Sequence, residues 1–163
     1  MPRQIEQFPR HDFSPPDFQA IFELVPKPCL ILDSAFTIVA ANDSYCSATM
    51  TTRGAIVGHA LFEVFPDNPD ELLADGVSNL RASLLRVLKT RAADRMPTQK
   101  YDIEKPPSLG IGFEVRYWDP LNVPVLGEDG YVKWIIHSVE DVTELVEMRR
   151  RAAPVKLATA AHT

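Results

Sequence analysis

The run Gly127-Glu128-Asp129-Gly130-Tyr131-Val132-Lys133-Trp134-Ile135-Ile136-His137-Ser138-Val139-Glu140-Asp141-Val142-Thr143-Glu144 holds a turn, a strand and a helix start in one stretch. Asp129-Gly130 suits the positive φ angles of a short hairpin turn. Tyr131 to Val139 is dense in β-branched and aromatic residues and predicts a strand. Asp141-Val142-Thr143-Glu144 has the spacing of a capping box. In that motif Asp141 accepts from the Glu144 N–H, and Glu144 reaches back to the free backbone donor. A strand that feeds directly into an outgoing helix suits a module passing strain from a sheet to a downstream element.

The totals frame that segment. A chain of 163 residues suits one domain, with 45% hydrophobic and 24% charged residues, ordinary for a soluble globular protein. The net charge of −5 argues against nucleic acid as a partner, because phosphate binding needs a basic surface. No stretch approaches the roughly 20 apolar residues of a membrane span; the run Cys29 to Ala41 is broken by Asp33 and Ser34. The first residues lack the apolar core of a secretory signal, and Cys29 and Cys46 lack metal-ligand spacing. The two cysteines read as buried thiols of a reducing compartment, and the expected location is the cytoplasm.

Upstream, residues 1–13 read as a flexible leader. Ser14-Pro15-Pro16-Asp17 reads as a helix start with Ser14 as cap, over a capping helix at 14–26 ended by Pro26. Its apolar face, Phe18, Ile21, Phe22 and Val25, must be covered by the domain's own sheet or by a second copy of the chain. Cys29–Leu32 and Phe36–Ala40 predict two strands, and Asn42 caps a helix from Asp43 to about Met50. The longest helix places Val77, Leu80, Leu84 and Leu88 on one face, flanked by Leu73 and Leu85, with Arg81, Arg86, Lys89 and Arg91 on a solvated face. Gln99–Glu104 predicts a third strand and Gly112–Asp119 a fourth. Pro120 and Pro124 make the continuation of the fourth an edge, bulge or loop. Residues 142–153 form an exit helix, and 154–163 a tail beginning at the helix-breaking Pro154. Two strands, several helices, then three strands argue for an α+β fold with an antiparallel sheet and helices on one face.

This layout resembles a PAS domain over about Phe18 to Arg151, with the core at 27–141. Asn42 stands at the entry to a helix after the first strand pair. Gly58-His59-Ala60-Leu61-Phe62-Glu63-Val64-Phe65-Pro66-Asp67-Asn68-Pro69 looks like the Gly-x-x-x-Phe-x-x-Phe-Pro-Asp-Asn-Pro region of one bacterial PAS group. Gln99–Ile103, Phe113–Val125 and Trp134–Glu144 look like that group's last three strands. The resemblance implies strand order 2-1-5-4-3, a cavity between sheet and helices, and dimerisation. It also implies a role as the input module of a bacterial sensor histidine kinase. Flavin-binding relatives carry a Gly-x-Asn-Cys-Arg-Phe-Leu-Gln run and a Gln before the closing Asp. Neither cysteine here has that context, and Val139 takes the Gln place. Residues 73–92 hold no His, Met or Cys to ligate haem. The cofactor thus stays unknown, with flavin and haem both disfavoured. No phosphoacceptor helix or Gly-rich nucleotide box is present, so kinase activity would lie elsewhere.

Candidate residues follow from strand parity. His137 shares a face with Ile135 and Val139, and the comparison with flavin relatives turns that face to the cavity. His137 is either a structural imidazole or a ligand-reading, pH-sensitive group. Tyr45, Phe62 and Arg116 complete the expected ligand set; Arg116 either clamps a carboxylate or faces solvent, and Phe62 also reads as core. Asp141, Thr143 and Glu144 form the expected signal exit. The acidic spots Asp67/Asp70/Glu71 and Glu140/Asp141/Glu144 read as caps and loops, with no metal expected. Ser138 and Thr143 lack a base and an orienting group, so no catalytic residue is expected. Three functions remain open: a sensory module binding a small ligand or partner, a ligand-free dimerisation module, and a small α+β enzyme.

Overall fold

In the computed structural model, which describes residues 15–153, the two apolar runs after Pro28 pair as β1 (Cys29–Asp33) and β2 (Ile38–Ala41). Alternation sends Leu30 and Leu32 to the buried face, and a bulge in the pairing with β2 brings both Ile38 and Ala41 opposite them on that face. The turn between them is held by Asp33, whose Oδ1 accepts from the N–H groups of Ala35 and Thr37. Asn42 then caps α2 (Asp43–Ala48), its Oδ1 accepting from the Tyr45 N–H at 2.9 Å. Short helices α3 (Arg53–Ile56) and α4 (Leu61–Val64) lead to α5 (Gly76–Thr90). Asp67 Oδ1 accepts from the Val77 N–H, so a carboxylate from the preceding loop stands in for a local cap on α5.

The opening segment forms β9 (Val132–Ser138), which pairs with β1 on one side and with β8 (Leu121–Leu126) on the other. A two-residue strand, β3 (Asp94–Arg95), completes an antiparallel sheet in the order β2-β1-β9-β8-β3, the expected 2-1-5-4-3 arrangement. Helices cover one face. The buried core gathers Leu30, Leu32, Ile38, Leu61, Leu84, Val87 and Ile135 between sheet and helices.

Several expectations need correction. The third strand is Asp94–Arg95. Gln99–Glu104 instead splits into β4 (Gln99–Lys100) and β5 (Ile103–Glu104), which pair with β7 (Tyr117–Trp118) and β6 (Phe113–Glu114) in two small ribbons. The long fourth strand, β8, starts after Pro120 rather than at Gly112, and its far half is an edge with a bulge at Val125/Leu126, as expected of that segment. Pro124 is tolerated there because β3 reaches only Leu121 and Asn122, leaving the far half of β8 without a strand on that flank. The buried stripe of α5 is Leu80, Ser83, Leu84 and Val87, while Leu73 and Leu85 are exposed.

The N-terminal helix α1 runs Phe18–Leu24, capped by Asp17 through the Ala20 N–H rather than by Ser14, which lies outside the described residues together with the leader 1–13. It lies beside α2, not over the sheet. Phe18, Ile21 and Leu24 are exposed, and Phe22 and Val25 half-buried. The exit helix α6 covers Thr143–Ala152; Pro154 and the tail fall outside the described residues. Cys29 and Cys46 are free and half-buried, and burial raises both thiols above their ordinary range. Among the described residues no helix is long and apolar enough to cross a membrane.

Candidate functional site: a small cavity between sheet and helices

Between the inner sheet face and α2, α4 and α5 lies a cavity of about 40 Å³. That is room for one or two waters or a ligand of a few heavy atoms, well short of the ~300–1,000 Å³ of a drug-sized site. Its wall is mostly apolar: Leu61, Phe65, Leu80, Met96, Ile103 and Val139. Gly76 lets the Tyr101 ring close one side, since a Cβ there would stand 2.5 Å from the ring. His137 and Val139 line it together, as expected from parity, and Tyr45 of α2 joins them. Ile135 is fully buried core beside them, and Phe62 packs edge-on against Phe36 under the Arg81 guanidinium; neither is part of the lining. Arg116 lies at the exit turn instead, bonded to Glu114 at 2.7 Å and Asp141 at 3.2 Å, so its charge is already matched.

His137 is the polar residue of most interest. It is 3% exposed, and burial in a site with no facing charge pushes its pKa down to about 4, so the ring is neutral at pH 7. Its Nδ1 lies 2.7 Å from Asn122 Oδ1 on β8. Asn122 Nδ2 donates to Ser83 Oγ on α5 at 2.8 Å, and Ser83 Oγ donates to Asp94 Oδ2 on β3 at 2.5 Å. Arg86 closes the chain by donating to both oxygens of Asp94. The Arg86 bond and then the Ser83 bond hold the Asp94 carboxyl below its usual range. A buried polar chain therefore runs from the cavity through β8 and α5 to the surface. Asn122 and Ser83 escaped the sequence reading. Ser83 left a trace, as a hydroxyl within the apolar stripe of α5, whereas Asn122 lay in the segment read as ragged.

The exit differs in detail from the expected capping box. Asp141 Oδ1 accepts from the backbone N–H and the hydroxyl of Thr143, an Asx-type turn, and its Oδ2 accepts from Arg116. Thr143 Oγ1 accepts from the Tyr117 N–H, and the Val142 N–H donates to Tyr117 O. Glu144 is exposed in the first turn of α6 and makes no return bond. The box does not form because α6 starts at Thr143 with Val142 as its cap residue, so Asp141 stands one residue too early and its carboxylate takes the two donors of Thr143 instead. The result ties α6 to β7, whose Trp118 lines the cavity.

Elsewhere, a groove of about 530 Å³ lies between residues 49–66 and 102–112. Among the described residues no group of three or more His, Cys, Asp or Glu side chains is placed to hold a metal.

Comparison with known proteins agrees with this architecture. No curated protein matches the chain. Among solved structures, the chain is similar to the PAS domain of a Colwellia psychrerythraea protein, at TM-score 0.60 and 11% identity, covering 78% of this chain and 95% of that one. It is similar to the PAS domain of Bordetella pertussis BvgS, at TM-score 0.58 and 19% identity over 82% and 90% of the two chains. A sensory box sensor histidine kinase from Vibrio cholerae aligns at TM-score 0.51 and 21% identity over 77% and 88%. At such identities these likenesses speak to the fold. The family profile described as "PAS fold" matches residues 22–147, most of the chain, and the protein belongs to the PAS-fold family.

Proposed function

We propose that this chain is a sensory PAS module that reads a small molecule in its cavity and passes occupancy to the exit helix. One observation carries the reading: β9 presents His137 to the cavity, Val139 follows directly on the same wall, and the chain then enters the Asp141 turn that positions α6. A ligand that shifts the strand by a fraction of an ångström changes the Asp141–Thr143–Arg116 contacts. The natural output is a histidine kinase core or another signalling partner, with the chain acting as an input module rather than an enzyme. A thermal-shift screen of a metabolite panel against wild type and His137→Ala tests it. The expected result is a compound that stabilises wild type alone and alters hydrogen exchange in residues 143–152. Equal shifts in both proteins remove His137 from recognition.

A second reading has its own support. The cavity is small, and among the described residues two apolar surfaces have no helix over them: the Phe18, Ile21 and Leu24 face of α1, and the outer sheet face. On that face the half-buried Ile31, Ile136 and Val123 align across three strands. A ligand-free homodimerisation module would use these faces. Native mass spectrometry separates the readings: a dimer carrying no small molecule favours the second.

A further inference from the structure

We infer that the cavity selects a small uncharged molecule that donates an O–H or N–H hydrogen bond to His137 Nε2, because the hydrogen-bond chain behind the imidazole fixes its tautomer. This deepens the sensing reading and rests on it. The direction of each bond in the chain follows from the one before. The Asp94 carboxylate can only accept, and Arg86 and Ser83 both bond to it. Ser83 therefore spends its single proton on Asp94 and can only accept from Asn122. Asn122 must turn its amide nitrogen to Ser83, with Met96 Sδ at 3.7 Å as a weak second acceptor, and its oxygen to His137. A neutral His137 facing that oxygen at 2.7 Å carries its proton on Nδ1, and Nε2 is left as a bare lone pair.

The other polar groups around the cavity are already bonded. Tyr101 Oη donates to Phe65 O, Trp118 Nε1 to Tyr101 O, Thr49 Oγ1 to Tyr45 O, and Gln99 is held by Asn79 and Pro97. Among the described residues, no hydrogen bond reaches His137 Nε2 or the Tyr45 hydroxyl. Their rings stand edge to face with centroids 6.2 Å apart. A hydroxyl lodged in the cavity that both residues line can donate to Nε2. A carboxylate would meet the imidazole lone pair with another lone pair, and a ketone would leave Nε2 unpaired. An unmet buried acceptor weakens binding roughly fivefold to a hundredfold.

Two measurements on the whole chain test this. Long-range 1H–15N spectra of His137 at pH 7 should show a protonated Nδ1 and a bare Nε2. An Nε2–H tautomer or an imidazolium overturns the inference. Isopropanol and acetone, with the same number of heavy atoms, are then titrated while following the Val139 and Leu80 methyls and His137 Nε2. Isopropanol should bind at least about fivefold more tightly and shift Nε2. In Ser83→Ala, which frees the Asn122 amide to turn over, the second tautomer should appear and the preference shrink. Equal binding of both probes, or a preference untouched in Ser83→Ala, overturns the donor requirement while leaving the sensing reading standing. If neither probe moves the cavity methyls, both fall together.

Discussion

Two asparagines in this domain are fully buried, Asn42 and Asn122, and they are used in opposite ways. Asn42 spends all its capacity on backbone: its oxygen accepts from the Cys29 and Tyr45 N–H groups, and its nitrogen donates to the Val25 and Lys27 carbonyls. It knots the end of α1, the start of β1 and the first turn of α2 into one corner. Asn122 bonds to side chains, His137 and Ser83, one of which titrates and faces a cavity. Backbone partners are the same whatever the ligand or pH. Side-chain partners can exchange protons, rotate and lose a mate. The first asparagine builds architecture; the second is where the fold can be tuned.

Substitutions can break that contrast. The largest effect is expected for Asn42→Ala, which removes four hydrogen bonds to backbone at once: a loss of about 4 kcal/mol and roughly 10–15 °C in Tm. Its His137 tautomer should be unchanged, and an altered imidazole spectrum would show that the two corners are coupled. Next comes acid. Between pH 6.5 and about 4 the unfolded chain binds a proton that the folded His137 excludes, so stability present at neutral pH is lost as pH falls. The expected drop is roughly 3 kcal/mol, read from urea midpoints. His137→Gln should flatten that part of the profile, and an unchanged slope would place the titration elsewhere.

Asn122→Ala should cost about 2 kcal/mol, less than Asn42→Ala, because it removes two side-chain hydrogen bonds where Asn42→Ala removes four to backbone. A cost equal to that of Asn42→Ala would erase the distinction between the two. The smallest effect is expected at the exit: Asp141→Ala should lower stability by about 1 kcal/mol, as a partly exposed turn and ion pair do. Faster hydrogen exchange confined to the first turn of α6 is the readout. Uniform exchange across the domain would mean that the turn supports the core rather than the helix alone.

Local chemistry was legible in the sequence, and remote pairing was not. Asn42 was readable because a cap is decided within a few residues of itself. The face of His137 was readable because a strand has period two. Asn122 was hidden because its partners are 39 residues back on α5 and 15 residues ahead on β9. Pro120 and Pro124 also argued against the strand that carries it. The capping box at Asp141 was misread because Thr143 and Arg116 compete for the same carboxylate, and Arg116 arrives from another part of the chain. The common face of His137 and Val139 followed from parity alone, whereas nothing local in the sequence pointed Tyr45 at the same cavity.

Pro124 carries a practical consequence. It sits where β8 has outrun β3, beside the exposed Val125 and Leu126. An uninterrupted Val-x-Val-Leu strand on that open flank would offer its amides to any neighbouring molecule as a template for strand addition. A proline has no amide to offer. One imino acid thus acts as a gatekeeper on this flank of the sheet, where it removes a donor that edge-to-edge addition would need.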